Sequence, residues 1–293
     1  MTAYYMRLRW TVYICLLVFG IGLNIKQIYG GPIRYITLMN QNIVVSMTTT
    51  PHRIDRIQKT LDTVLSQTAP IKKIYLSIPY RFKRDNLEYK IPKWLQDNKK
   101  ITILRTKDYG PATKLLGLLE QVDLPPDTII VTLDDDIMYP KGLVLQLAHR
   151  ARQYPHYAIT ILGANPEYDD QGNVSIKSVR GLINDHNDKS FVAVAQGFAG
   201  IAYRRSFFDS TIFDIVNAPQ ECINSDDLYL SFYLAKHNIP RQTLNDSLAS
   251  YKQVLPDQVG LEADALHAQA IKETQRHRTC IAYMKQKDPE VIF

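Results

Sequence analysis

Cysteine is scarce in this chain of 293 residues, and long hydrophobic runs are nearly absent. The three cysteines, Cys15, Cys222 and Cys280, lie far apart and without metal-ligand spacing, which excludes a disulfide-rich scaffold. We expect free buried thiols, with a Cys222–Cys280 disulfide as the alternative. With 13 glycines and 15 prolines the chain is neither collagen-like nor disordered. The composition is that of an ordinary globular protein with one catalytic-sized domain.

Charge of one sign does not dominate, because 35 Lys and Arg face 29 Asp and Glu, a net charge of +6. Such an excess suits an anionic partner, such as a nucleotide, a nucleic acid or a membrane surface. The basic residues are scattered, and no basic stripe with interleaved aromatic residues occurs, which argues against nucleic-acid binding.

One apolar run, Trp10 to Leu23, lies near the N-terminus, after Arg7 and Arg9 and before Lys26. The run is shorter than the roughly 20 residues that span a bilayer comfortably. No small-residue cleavage site follows cleanly, so we predict an uncleaved signal anchor rather than a signal peptide. The two arginines favour a cytoplasmic N-terminus. A buried or interfacial helix is the alternative.

Strand and helix patterns alternate after this run. The segments NIVVSM, KKIYLSIP, ITILRT and DTIIVTL predict strands, and the apolar spacing after TTTPHR and within PATKLLGLLEQV predicts helices. We therefore expect an α/β fold with a mostly parallel sheet flanked by helices. The segments SDDLYLSFYLAKHNIP and LEADALHAQAIKETQRHR predict further helices, whereas residues 163–187 are predicted to form a long surface excursion.

Three adjacent carboxylates, Asp134, Asp135 and Asp136, follow the apolar run TIIVTL. In an open α/β sheet, ligands bind beyond the carboxyl ends of the strands. Strand alternation sends Asp134 and Asp136 to one side, where they can share a ligand. Two carboxylates with phosphate oxygens suit Mg²⁺ or Mn²⁺, so we predict a metal site there; a solvated acidic turn is the alternative.

Two polar loops are candidates for nucleotide binding. In TTTPHR we assign donor contacts to Thr48, Thr49, Pro51 and Arg53, with Arg53 reaching a phosphate; simple helix capping by Thr50 is the alternative.

The second loop, DYGPATK, opens a predicted helix with Gly110 and places Lys114 one turn in. A helix N-terminus with a nearby ammonium group suits an anion. An exposed lysine without a ligand is the alternative.

The motifs VVSMTTTPHR, DYGPATK, DDD and SDDLYLSFYL, in this order, resemble bacterial-type glycosyltransferases of the GT-A fold, family 2, over residues 42–252. The resemblance implies a nucleoside diphosphate sugar as donor and Mn²⁺ or Mg²⁺ as cofactor. It implies that Asp136 is a direct metal ligand and that Asp134 is a ribose or metal-shell partner. Some GT-A enzymes place a further metal ligand near the C-terminus, for which His267 and His277 are candidates.

SDDLYLSFYL is similar to the family pattern T-E-D-x-x-L-S-x-x-L, which matches Asp227 to the general base and Asp226 to the preceding glutamate. We expect Asp227 to have an ordinary pKa and to be ionised at pH 7. Capping of the helix by Ser225 and the two acids is the alternative. The family's Q-x-x-R-W motif is missing, which argues against a processive polymer synthase.

The glycines of QGFAGIAYRR, Gly197 and Gly200, resemble the family's glycine-rich segment ahead of the catalytic acid. They would let donor and acceptor sugars approach the backbone; a β-bulge is the alternative.

The resulting hypothesis is a membrane-anchored glycosyltransferase that transfers a sugar to a hydroxyl of a glycan or lipid-linked acceptor. Its parts are the anchor and linker start in residues 1–30, the GT-A domain in 31–255 and a helical tail in 256–293. The domain would lie either in a Golgi-type lumen or at a bacterial inner membrane. A sugar-nucleotide nucleotidyltransferase lacks its glycine-rich phosphate loop here, and a non-catalytic binding module leaves the second acid pair unexplained. A hydrolase with paired carboxylates is the weakest alternative.

Overall fold

Strands and helices largely alternate between Ile43 and Thr160, as predicted, whereas several strands follow one another after Thr160. The structure is a computed structural model that describes residues 42–170, 174–179, 191–244, 257–258 and 270–291. The predicted anchor, the linker and His267 lie outside these residues. Within them, no helix has both the length and the apolar character needed to cross a membrane.

Seven strands form a central sheet with the order β11-β6-β10-β4-β1-β2-β3. The pairs of β1 with β2 and β4, β2 with β3, and β6 with β11 are parallel, whereas β10 is antiparallel to both of its neighbours. A second sheet has the order β8-β7-β9, and β5 pairs with β12. The strands are β1 Ile43–Thr48, β2 Ile71–Pro79, β3 Ile101–Thr106, β4 Ile129–Thr132, β5 Ile137–Met138, β6 Ala158–Thr160, β7 Gly163–Tyr168, β8 Val174–Val179, β9 Val194–Ala195, β10 Ile201–Arg204, β11 Arg241–Thr243 and β12 Asp257–Gln258.

Helices cover the sheet, and their buried side chains form the rest of the hydrophobic core. α3 packs against β1, β2 and β3, while α4 packs against β4, β6 and β10. The first five residues of β1 are buried, as expected for a central parallel strand covered on both faces. The helices are α1 Gln58–Leu65, α2 Lys93–Gln96, α3 Thr113–Gln121, α4 Leu143–Gln153, α5 Gln220–Ile223, α6 Asp226–Lys236 and α7 Ala270–Lys287.

The prediction that residues 163–187 form a long surface excursion is wrong for the described part of that range. There, β7 and β8 pair in an antiparallel hairpin. Asn165 and Pro166, residue types that are common in turns, both lie within β7, and Pro166 is opposite Ile176. Glu167 and Tyr168 at the end of β7 are exposed, so this half-exposed strand carries polar residues. Strand pairing has therefore overridden local propensity.

The expected free thiols of Cys222 and Cys280 are also contradicted, since the two residues form a disulfide across a sequence separation of 58. Cys222 lies in α5 and Cys280 in α7, and both are fully buried. Their Cα atoms are 4.7 Å apart because α7 packs on α5 and α6. The spacing of the cysteines in the sequence does not reveal this tertiary contact.

We expect removal of this disulfide to lower the free energy of unfolding by about 3–4 kcal/mol, because the cross-link restricts a long loop of the unfolded chain. Urea unfolding of the double variant Cys222→Ala/Cys280→Ala, compared with oxidised and reduced wild type, measures the difference. Reduced wild type should resemble the variant. Equal stability of the oxidised and reduced proteins would contradict the structural role.

Candidate functional site

A cavity of about 990 Å³ opens at the carboxyl ends of the parallel strands. Thr48 at the end of β1 lines it, together with Thr49, Thr50 and Arg53 of the loop that follows. The loop after β2 contributes residues 82–84, the loop after β3 residues 108–111 and the loop after β4 residues 134–136. Four loops meet there because the strands that precede them run in the same direction. This is where open α/β sheets bind ligands.

The three adjacent aspartates line this cavity but differ in exposure. The side chains of Asp134 and Asp136 are 28% and 20% exposed, whereas that of Asp135 is 7% exposed. The outer two carboxylates therefore open towards the cavity, and the middle one is held inside the protein.

Asp135 is held by two residues that were predicted to contact the donor. Thr49 Oγ1 donates to Asp135 Oδ2 at 2.5 Å, and Arg53 Nη1 donates to Asp135 Oδ1 at 2.6 Å. The same Arg53 nitrogen lies 3.1 Å from Asp136 Oδ2. Burial raises the pKa of Asp135 to about 6, against the opposing effect of Arg53. Thr49 and Arg53 thus position the acids in this structure.

Lys114, predicted to meet an anion at the helix N-terminus, meets carboxylates of the chain itself. It is buried in the first turn of α3, with Nζ at 2.7 Å from Asp134 Oδ1 and 3.1 Å from Asp226 Oδ2. Burial alone would lower its pKa, but Asp134, Asp226 and Asp227 outweigh burial and raise the pKa well above its usual value. Lys114 is therefore a permanent cation between two acid groups.

Asp226 and Asp227 occupy the first turn of α6, where the helix dipole favours negative charge. The backbone N–H of Gly197 donates to both carboxylate oxygens of Asp227 at 3.0 Å. Burial and the neighbouring Asp226 raise the pKa of Asp227 to about 8, although Lys114 opposes the rise. The expected ordinary pKa of Asp227 is therefore wrong, because the sequence does not show how deeply the group is enclosed.

The two glycines ahead of the acid pair have roles in packing. A Cβ at Gly197 would lie 2.7 Å from Asp227 Oδ1 and 3.1 Å from Lys114 Nζ, so any other residue there would require these side chains to shift. Gly200 has a φ of +96° and faces the side chain of Leu133. The sequence predicted that donor and acceptor sugars approach the backbone at these glycines. In the structure, the groups that approach it are side chains of the protein itself.

The remaining predicted residues are spread around the cavity. Thr48 and Gly110 line it, while Pro51 does not. Gly110 adopts a φ of +63° beside Ile223, which favours glycine. His277 lines the cavity from α7, and burial lowers its pKa to about 4, so it is neutral at pH 7.

The residues that come after β2 in the sequence form a wall of the cavity that the sequence did not reveal. Phe82, Lys83 and Tyr89 line the cavity there. Asp108 fixes this wall, because its carboxylate accepts from the backbone N–H of Lys83 at 2.7 Å and of Gly110 at 2.8 Å. The Tyr89 hydroxyl donates to the Thr49 carbonyl at 2.9 Å. An aspartate two residues before a glycine is a turn signal that could have indicated the role of Asp108.

The donor set fits a hard divalent cation. The described ranges contain no cluster of three or more His, Cys, Asp or Glu that could hold a metal by itself. Mg²⁺ is commonly bound through only one or two carboxylates with substrate phosphates completing the shell. Asp134 and Asp136, both open to the cavity, can supply those two carboxylates.

Known proteins share the fold of this chain rather than its sequence. No family model and no curated protein matches it. The solved 4-diphosphocytidyl-2C-methyl-D-erythritol synthase from Anaerococcus prevotii is 14% identical over 80% of this chain and 99% of that one, but with a TM-score of 0.47 it supports no argument.

A stronger likeness is to GalNAc-T7, a GT-A fold glycosyltransferase whose crystal structure holds UDP, GalNAc and Mn²⁺. It is 11% identical with a TM-score of 0.56, over 85% of this chain and 51% of that one, so this chain spans about half its length. At this identity the likeness shows the fold alone. The architecture is thus a Rossmann-like GT-A α/β fold with a mostly parallel central sheet.

Proposed function

We propose that this protein is a metal-dependent glycosyltransferase, similar to family 2 enzymes, that transfers a hexose-type sugar from a nucleoside diphosphate donor to a hydroxyl of a glycan or lipid-linked acceptor. The observation that carries the proposal is the arrangement around Lys114. One cavity holds two outward carboxylates, Asp134 and Asp136, and a second acid pair, Asp226 and Asp227, with Lys114 in contact with both groups.

On the donor side, Asp134 and Asp136 would hold Mn²⁺ or Mg²⁺. When bound, the cation supplies positive charge that neutralises the leaving diphosphate. The chain keeps Asp136 oriented through Arg53, which is itself fixed by the buried Asp135. Thr48 and Gly110 line the same part of the cavity and are our candidates for contacts with the donor.

On the acceptor side, Asp227 is the candidate general base. The acceptor oxygen attacks the anomeric carbon, the bond from that carbon to the diphosphate oxygen breaks, and the hydroxyl proton passes to an oxygen of Asp227. Asp226 keeps Lys114 next to this base, and the N–H of Gly197 fixes the carboxylate. A direct displacement of this kind inverts the anomeric configuration.

We also propose that the N-terminal apolar run anchors the protein in a membrane as a single-pass segment. The Cys222–Cys280 disulfide supports a location in which the domain is exposed to an oxidising compartment, because disulfides persist there. Of the two locations considered from the sequence, a Golgi-type lumen is oxidising and the bacterial cytoplasm is reducing.

The variant Asp136→Asn should lose donor turnover, because one of the two carboxylates offered to the cation is removed. Release of nucleoside diphosphate from UDP-, GDP- and dTDP-sugars, with Mn²⁺ and with EDTA, measures it. We expect metal-dependent release from one donor in the wild type and roughly a hundredfold less in the variant.

Asp97→Asn removes a carboxylate from the exposed end of α2 and is the matched control, with wild-type release expected. If Asp136→Asn retains wild-type release, the proposed donor site is wrong. Metal-dependent binding of nucleotide without turnover, with and without added glycan acceptors, would indicate a binding module.

The transfer rate should rise as the pH increases through about 8 and level off above it, because only the ionised form of Asp227 can accept a proton. The pH dependence of kcat/KM with a glycan acceptor measures this. In Asp227→Asn, transfer should fall by roughly a hundredfold or more while donor binding is retained.

Asp123→Asn, which changes an exposed aspartate after α3, should leave the pH profile unaltered. A wild-type rate that is flat between pH 6 and pH 9, on the order of three units around the pKa of Asp227, would exclude this group as the base.

A further inference from the structure

One buried hydroxyl group connects the two acid groups of the cavity without lining the cavity itself. Tyr139 directly follows β5 and is only 3% exposed. Its hydroxyl oxygen accepts a hydrogen bond from the backbone N–H of Asp134 at 2.8 Å. The same hydroxyl donates to the backbone carbonyl of Phe198 at 3.0 Å. A single uncharged group therefore joins two segments that are far apart in the sequence.

The contact with Asp134 fixes the loop that carries the three adjacent aspartates. Asp134 lies two residues beyond the end of β4, and its N–H donates to the Tyr139 hydroxyl instead of to a strand. Because a buried N–H needs an acceptor, the hydroxyl closes the loop from residue 134 to residue 139 upon itself. Hydrogen bonds behind a metal ligand orient it, and they affect metal affinity strongly.

The backbone around Tyr139 is itself held by α1. The N–H of Tyr139 donates to Thr63 Oγ1 at 3.2 Å. The side-chain amide of Gln67, just beyond α1, donates to the Pro140 carbonyl at 2.8 Å. The ring is enclosed in the protein interior, so the hydroxyl is a fixed point to which the two neighbouring segments are bound.

The contact with Phe198 fixes the segment that holds the second acid pair. Phe198 is the middle residue of a short 3₁₀ turn, Gly197–Ala199. The N–H of Gly197 in this turn donates to both carboxylate oxygens of Asp227, the candidate general base. The Tyr139 hydroxyl therefore restrains the backbone that orients Asp227.

Tyr139 and Lys114 connect the same two acid groups through different atoms. Lys114 contacts the carboxylates of Asp134 and Asp226 through its charge. A divalent cation bound to Asp134 would repel this ammonium group and compete with it for the carboxylate. The Tyr139 hydroxyl is neutral and contacts backbone atoms only, so its two hydrogen bonds are compatible with a bound cation.

We propose that Tyr139 is a positioning residue for the transfer reaction, whose hydroxyl keeps the metal-binding loop at Asp134 in register with the turn that orients Asp227. The inference rests on the function proposed for the cavity. It adds a residue that touches neither substrate nor metal and acts through the backbone of the residues that do.

The variant Tyr139→Phe keeps the ring and removes both hydrogen bonds. We expect Mn²⁺, added with UDP, GDP or dTDP, to bind about tenfold more weakly or worse, the usual effect of removing a partner behind a metal ligand. Electron paramagnetic resonance of free Mn²⁺ measures this affinity without turnover. At saturating Mn²⁺, release of nucleoside diphosphate from the corresponding sugars should remain several-fold slower than in the wild type, because Asp227 is still misaligned.

Tyr233→Phe is the matched control, because it removes a buried hydroxyl with the same kind of partners. The Tyr233 hydroxyl accepts from the N–H of Asp209 at 3.0 Å and donates to Asp209 Oδ1 at 3.2 Å, and Tyr233 does not line the cavity. Urea unfolding should show that both variants are destabilised. Only Tyr139→Phe should change Mn²⁺ affinity and release per folded molecule, which a purely structural role would leave unaltered.

Hydrogen exchange distinguishes this inference from the proposed reaction, because it needs neither metal nor donor. Tyr139→Phe should speed exchange of the amides of Asp134 and Gly197 several-fold, and Tyr233→Phe should not. Unchanged exchange at either amide, or wild-type Mn²⁺ affinity and release in Tyr139→Phe, would overturn the proposal. Faster exchange at both amides and weaker Mn²⁺ binding, in a protein that turns over no donor, would refute the proposed reaction and leave the positioning by Tyr139 standing.

Discussion

The buried ammonium group of Lys114 is the interaction on which the candidate site depends. It contacts Asp134 after β4 and Asp226 at the start of α6, two segments far apart in the sequence. Without this cation, the largely buried carboxylate of Asp226 would be left unpaired, and an unpaired buried charge costs several kcal/mol. The donor side and the acceptor side of the cavity are therefore coupled through a single side chain.

The two ends of the central sheet differ in how their charged side chains are paired. At the carboxyl ends, acidic residues outnumber the available cations, and each acid group is matched to an internal partner, Arg53 or Lys114. At the amino ends of β2 and β3, the exposed lysines Lys72, Lys99 and Lys100 have no carboxylate partner among the described residues. An internally matched site is suited to orienting a small substrate.

Local pattern was enough to predict much of the fold and the placement of the site. The four apolar runs became β1 to β4, and the acids of TLDDD lie where a strand end meets the cavity. The sequence could not show contacts that only tertiary packing creates. The partners of Lys114, the anchoring of Asp135 by Thr49 and the pairing of Cys222 with Cys280 all join segments far apart in the chain.

Asp227 shows why such contacts decide chemistry and not only stability. The sequence predicts a general base of ordinary pKa at this position. In the structure, burial and Asp226 raise its pKa to about 8, while Lys114 and the N–H of Gly197 limit the rise. The opposing effects leave a group that is a stronger base than a solvated carboxylate and still ionises near neutral pH. Glycine at position 197 favours this balance, because a Cβ there would lie 2.7 Å from Asp227 Oδ1 and 3.1 Å from Lys114 Nζ, so at least one of these groups would have to shift.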